Sequence, residues 1–234
     1  MKNIFRFKQF EVNQSGCAMK INTDGVLLGA IAGHQNPVRI LDIGTGTGVI
    51  ALMLAQRFSK AKVHAVEIDE QASATARDNF RNSVFSERLT NNNVPIEQYQ
   101  YAEKFDLIVT NPPFFVNDYK NAEPKKEIAR HASRTFFDDL LSKVNELLSE
   151  AGCFWFVLPI KQAEYVVARG EELGLFPQQV VKLRSDNTKS EFRRIVCLCK
   201  HKADLEEADF VIYESEKVYT KAYQELLKDF FLAY

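Results

Sequence analysis

Two short stretches carry residue types that could hold a small molecule and present it to a nucleophile. The first is Asp42-Ile43-Gly44-Thr45-Gly46-Thr47-Gly48, where an apolar run gives way to a helical pattern. Glycines at a strand-to-helix junction let the backbone turn sharply and approach a ligand closely, so this reads as a cofactor loop. The next strand-like run ends in Glu67-Ile68-Asp69. An acid at that strand's end is placed to accept hydrogen bonds from two ribose hydroxyls, and Glu67 is the candidate. The second stretch, Asn111-Pro112-Pro113-Phe114, follows the run Phe105 to Thr110. Its prolines fix their φ angles and lack an N–H, so the turn offers acceptors without competing donors. The Asn111 side-chain oxygen and the Pro112 carbonyl can each accept one N–H of a planar amine, drawing its nitrogen out of conjugation. Phe114 can stack on the ring that carries the amine, a contact worth about 1 to 3 kcal/mol.

The glycine spacing narrows the cofactor. The dinucleotide fingerprint is G-x-G-x-x-G, with a helix N-terminus facing a pyrophosphate. Here the pattern is G-x-G-x-G with an acid, Asp42, beside it. That acid would repel pyrophosphate but suits S-adenosylmethionine, whose amino group and sulfonium are cationic and which carries no phosphate.

The elements that must position these loops follow a βαβ rhythm. Strands are expected at Val38 to Ile43, Lys62 to Ile68, Phe105 to Thr110 and Cys153 to Leu158, with a weaker one at Arg88 to Val94, whose three asparagines have low β propensity. Helices are expected at Asp24 to Ala32, Val49 to Phe58, Asp69 to Ser83 with Asp69 as N-cap, Phe136 to Ser149 and Lys161 to Leu173. Gln178 to Leu183 and Phe192 to Lys200 have only a polar loop between them and predict a hairpin. Asp209 to Tyr213 and Tyr219 to Phe231 predict a last strand and helix. The fold class is α/β: a Rossmann-like, mostly parallel seven-stranded sheet closed by an antiparallel hairpin. We expect one domain over 1–234, made of an annex (1–35), a core (36–202) and a C-terminal strand and helix (203–234).

Of 234 residues 46% are hydrophobic, enough for a substantial core, yet the apolar runs are far shorter than the roughly 18 to 20 residues of a membrane span. The first residues lack the apolar stretch of a signal peptide, so a cytoplasmic protein is expected. Four cysteines without C-x-x-C spacing and four scattered histidines suggest no metal site. A net charge of -1 hides segregation. Lys182 to Lys202 holds seven Lys/Arg against two acids, Ala203 to Tyr234 eight acids against three Lys, and Tyr119 to Arg134 five basic residues against two acids. Brought to one face, the basic segments would form a footprint for a phosphate backbone; otherwise they are ordinary solvated faces.

Asp42 to Gly48 together with Asn111 to Phe114 resembles the class I amino-methyltransferases. Met19-Lys20-Ile21-Asn22-Thr23-Asp24-Gly25-Val26-Leu27-Leu28-Gly29, Ala129-Arg130-His131 and the tail Tyr219-Thr220 through Lys228-Asp229-Phe230-Phe231 narrow the resemblance to the tRNA1(Val) (adenine(37)-N6)-methyltransferase family. The resemblance implies S-adenosylmethionine as cofactor and a valine tRNA as partner, methylated on an adenine beside the anticodon. No metal, membrane or obligate protein partner is implied. It suggests Thr23 and Asp24 near the methionine end of the cofactor, Asp42, Gly44 and Gly46 around it, Glu67 on the ribose, and Asn93 with Val94 at the adenine. Asn111, Pro112 and Phe114 would serve the acceptor, and Arg130, Arg134, Lys189 and Arg193 the tRNA phosphates. Three alternatives stay open. The acceptor loop also suits an rRNA guanine or a protein glutamine, a non-catalytic RNA-binding protein would be expected to lose the glycine loop or Asn111, and a nicotinamide dehydrogenase is disfavoured by the glycine spacing.

Overall fold

A computed structural model describes residues 3–15, 17, 19–113 and 123–234, of which 123–133 are described by their backbone alone. The chain runs through β1 (Ile4–Arg6), β2 (Glu11–Asn13), α1 (Thr23–Ile31), β3 (Arg39–Ile43), α2 (Val49–Arg57), β4 (Lys62–Glu67), α3 (Glu70–Arg81), β5 (Leu89–Asn93) and β6 (Phe105–Thr110). It continues through α4 (Glu123–Leu147), β7 (Leu148–Leu158), α5 (Ile160–Glu172), β8 (Phe176–Arg184), β9 (Glu191–Cys199), β10 (Glu206–Val211), β11 (Tyr213–Ser215), β12 (Val218–Tyr219) and α6 (Lys221–Leu227).

The central sheet has the order β10-β8-β9-β7-β6-β3-β4-β5, with β9 antiparallel to both of its neighbours and every other pairing parallel. The expected seven strands and terminal hairpin are therefore present, and β10 adds an eighth at the edge. This strand starts three residues before the expected Asp209, because the acids of its N-terminal half meet the bases of β8. Lys182 Nζ lies 2.9 Å from Glu207 Oε2, and Arg184 Nε donates to Asp209 Oδ1 at 2.8 Å. Two bases of the basic block and two acids of the acidic block thus pair across one strand pair.

The asparagine-rich β5 forms because its side chains bond to neighbouring elements. Asn91 Nδ2 donates to the Ser73 carbonyl and hydroxyl, both at 2.8 Å, tying the strand to α3. Asp69 caps α3 as expected, accepting from the Ala72 amide at 2.7 Å. The last helix is shorter than expected, since Val218 and Tyr219 pair with β11 before Thr220 caps α6. Val12 of the annex, Leu52, Val63 and Trp155 of the sheet and its helices, and Leu227 of the tail all belong to one buried apolar cluster. Among the described residues no helix is long and apolar enough to cross a membrane.

Candidate functional site

The parallel register brings the candidate residues to the C-terminal edge of the sheet. Ile43 of β3 pairs with Thr110 of β6, so the glycine loop and Asn111 leave the sheet side by side. Thr110 Oγ1 donates to the Ile43 carbonyl at 2.9 Å and locks the two exits together. On the other side Glu67 ends β4 opposite Asn93 of β5. Ligands of open α/β sheets bind at this edge, where the loops diverge.

Gly44, Gly46 and Gly48 all have left-handed backbones, with φ of 70°, 57° and 85°. At Gly44 and Gly46 an added Cβ would meet no atom within 4 Å, so only the backbone conformation requires glycine there. Gly48 differs, since a Cβ there would lie 2.5 Å from Phe80 Cε1 and be blocked by α3. The loop is held by Glu67, whose Oε2 accepts from the Gly46 amide at 2.8 Å and whose Oε1 accepts from the Asp69 amide at 3.0 Å. Glu67 is 8% exposed. Its remaining acceptor capacity fits a pair of ribose hydroxyls. We expect Glu67→Ala to weaken S-adenosylmethionine binding by 10- to 100-fold, about 1.4 to 3 kcal/mol, with turnover at saturating cofactor largely kept. Calorimetric titration beside a saturation assay measures both.

Asp42 lies beneath the loop. It is fully buried, and its Oδ2 accepts from the Thr45 hydroxyl at 2.6 Å while Oδ1 has no hydrogen-bond partner. Burial pushes its carboxyl up to about 7, against the opposing hydrogen bonds from Thr45 and the Ala51 amide. Through Thr45 it braces the loop from below.

At the other end of the site, Asn22 caps α1 by accepting from the Gly25 amide at 2.8 Å, which fixes Thr23 and Asp24 at the first turn. A Cβ on Gly25 would stand 3.3 Å from Asn111 Nδ2, so the glycine lets the annex helix press against the acceptor loop. Asn111 is half-buried, and its Oδ1 is a buried acceptor without a partner among the described residues. Pro112 is buried beside it. Phe114 lies outside the described residues, as does the side chain of Arg130. Asn93 donates from Nδ2 to the carbonyls of Glu67 at 2.8 Å and Ile68 at 3.2 Å, which leaves its Oδ1 as the atom able to accept from an adenine amine. Val94 is half-buried against the apolar cluster behind β3 and β4.

The basic candidates separate. Arg193 Nε donates to Asp24 Oδ2 at 3.1 Å with both side chains largely covered, and burial pushes the Asp24 carboxyl up while Arg193 opposes the shift. Arg193 is thus part of the site's frame and not of an open basic face. Five of the seven bases in 182–202 (Lys182, Arg184, Arg193, Arg194 and Lys200) pair with carboxylates. Lys189 stands exposed on the β8–β9 turn, and Arg134 is exposed on α4 over the Tyr165 ring at 5.6 Å. A cleft of about 290 Å³ lined by Asn22, Asp24, Ser185, Phe192 and Tyr213 joins the annex to that turn. Sequence reading missed Phe192 and Tyr213, because nothing in their spacing announces that separate strands bring them together. It also scattered Cys153, Cys197 and Cys199, which the sheet gathers.

A family profile described as Methyltransferase small domain matches residues 22–166. A tRNA1(Val) (adenine(37)-N6)-methyltransferase of Pedobacter heparinus is 55% identical over 234 residues, all of both chains. The chain belongs to the tRNA1(Val) (adenine(37)-N6)-methyltransferase family. A member from Flavobacterium psychrophilum is 40% identical over 98% of this chain and 99% of its own. Among solved structures, a predicted O-methyltransferase from Agrobacterium tumefaciens superposes with a TM-score of 0.70 at 18% identity, covering 88% of this chain and 96% of that one. A methyltransferase from Pyrococcus furiosus gives 0.57 at 23% identity, covering 80% and 91%. These two share the fold. Membership makes the chain a methyltransferase.

Proposed function

We propose that this enzyme transfers a methyl group from S-adenosylmethionine to the exocyclic N6 amine of an adenine beside the anticodon of a valine tRNA. The observation that carries the reading is the Asn111 carboxamide oxygen, buried without a partner one residue beyond Thr110 and alongside the glycine loop. A buried acceptor left unpaired is costly, and an incoming amine N–H satisfies it.

The residues around the loop fit the cofactor. Asp42 and Glu67, with Asp24 offset by Arg193, make the site rich in acceptors and carboxylates, which suits a cationic ligand bearing a ribose diol and opposes a pyrophosphate. S-adenosylmethionine, when bound, supplies a methyl group on a positively charged sulfur. Glu67 would hold the ribose, Asn93 Oδ1 the adenine amine, and the first turn of α1 the methionine end. Asn111 Oδ1 and the Pro112 carbonyl would accept the two N–H bonds of the target amine, fixing it in line and stabilising positive charge on its nitrogen. Phe114 would stack on the base. No general base of raised strength is needed, since the amine proton can leave after the methyl has moved. The target adenine must leave its stack to reach the pocket, which costs least in a loop.

Incubating the enzyme with labelled S-adenosylmethionine and unmodified total RNA, followed by nucleoside analysis, tests the reading. N6-methyladenosine confined to a valine tRNA supports it. Methylated guanosine, or label in protein alone, overturns it.

For the RNA, Lys189 and Arg134 are the candidates that remain exposed among the described residues. Lys189→Glu should weaken tRNA binding with unchanged cofactor affinity, and flatten the slope of log affinity against log salt by about 0.7 to 0.9 per lost phosphate contact. Isotherms at several salt concentrations measure the slope. Arg193 is unsuited to this test, because its loss would strip Asp24 of its partner.

A further inference from the structure

Three of the four cysteines meet on the face of the sheet. Cys153 lies on β7 directly opposite Cys199 on β9, and Cys197 projects from β9 on the same face, two residues away. Cys199 Sγ is 3.2 Å from Cys153 Sγ and 3.8 Å from Cys197 Sγ, and all three sulfurs lie within 4.8 Å of one another as free thiols. Tetrahedral thiolate ligation with Zn–S bonds of about 2.3 Å sets sulfurs about 3.8 Å apart, so each edge of this triangle needs to change by about 1 Å or less. A candidate fourth donor is held on the same strand as Cys153 but lies outside the sulfur cluster. His34 Nε2 is 3.0 Å from the Ala151 carbonyl, two residues before Cys153, while its Nδ1 is buried without a partner. A ligating histidine is held in this way, with one nitrogen on a backbone carbonyl and the other presented to the metal.

We propose that Cys153, Cys197 and Cys199 bind one thiophilic divalent ion of the zinc class, with His34 swinging in as the fourth ligand. Binding displaces the thiol protons to solvent and changes no oxidation state. Cys153 is the most exposed of the three and gives a route in. A disulfide explains the cluster less well. Opposed strand residues hold their Cβ atoms about 4.5 to 5.5 Å apart, wider than the 3.5 to 4.5 Å of a disulfide, and a pair would leave the third sulfur unused.

The site is separate from the methyl-transfer edge. Cys153 pairs with Leu107, three residues before Thr110, which is about 10 Å back along the strands. Metal binding and catalysis therefore fail independently.

The test uses the full-length protein, reduced and stripped with a chelator, then offered Zn²⁺ or Co²⁺ at one equivalent. Native mass spectrometry should find one ion per chain, and the Co²⁺ form should show intense thiolate-to-metal charge-transfer absorption. Cys153→Ser and Cys199→Ser should each lower affinity at least 100-fold while Cys17→Ser leaves it unchanged, and all three should retain methyl transfer. Cys197→Val, which keeps apolar volume, removes a ligand without opening the core should the serine variants fail to fold. The proposal is overturned if the reduced, folded protein retains no ion, if the cysteine variants bind as well as wild type, or if a Cys153–Cys199 disulfide forms in place of metal retention.

Discussion

Replacing Asn111 with alanine is expected to cut methyl transfer at least 100-fold while leaving S-adenosylmethionine affinity within a few fold. The carboxamide oxygen is a buried acceptor that on the proposed reading meets the incoming amine, and losing one oriented group of this kind costs about 3 kcal/mol or more in the transition state. The proposed cofactor contacts are at Glu67 and the glycine loop, whose mutual hydrogen bond the change leaves in place. The fold should survive as well, since the backbone of Asn111 is anchored through Thr110 and the side chain makes no bond from its oxygen. Single-turnover rates and cofactor titration on the same preparation separate the two effects. Full activity in Asn111→Ala would remove the acceptor role and with it the proposed chemistry.

Asp42→Asn carries the second large effect, and its sign reverses between stability and binding. Burial holds the Asp42 carboxyl near 7 in the folded protein against an ordinary value of 3.8. A raised folded value means that the folded state binds the proton more tightly than the unfolded state. The stabilising contribution of that proton is complete below about pH 4 and is lost as the pH rises through about 7. At pH 8 the ionised carboxylate makes the free protein about 4 kcal/mol less stable than it is at pH 4, as an upper figure for this group. The asparagine variant should therefore melt at a higher temperature than wild type at pH 8 and at about the same temperature at pH 4. Binding should move the other way: wild-type affinity for the cationic cofactor rises as the pH passes 7, and Asp42→Asn loses both the affinity and the rise. Melting curves and titrations across pH 4 to 8 measure these trends. Parallel stability curves for the two proteins would show that the carboxylate is not strained in the free state. On the proposed reading, the arrangement keeps a charge that folding disfavours for the sake of a cationic ligand.

What could be read from the chain follows the range of the interactions. The glycine loop, Glu67 and Asn111 are each announced by local residue type at the end of a strand-like run, and the parallel register then brings them together without further information. The Asn91 to Asn93 run argues against a strand locally, and its strand forms because Ser73 and the end of β4 accept from the side-chain amides. The shift of Arg193 from a phosphate ligand to the partner of Asp24 was illegible, since those residues are 169 positions apart and no periodicity links them. The cysteines illustrate the same limit. Spacing rules detect metal ligands supplied by one turn or knuckle, whereas these come from two strands that meet only in the folded sheet.

The ion pairs between β8 and β10 have a consequence for how the sheet chooses its edge. The first four residues of β10 are exposed, so apolar burial does little to fix where that strand sits. A slip of one position would turn Glu207 and Asp209 away from Lys182 and Arg184 and bring Ala208 to face them, because alternate residues point to opposite sides. Charge here works as a key cut for one lock, selecting a single alignment for an otherwise indifferent strand. Once seated, β10 covers the open hydrogen-bonding side of β8 and becomes the edge itself, so the sheet ends in a strand carrying exposed carboxylates, a charged rim that disfavours pairing with another chain.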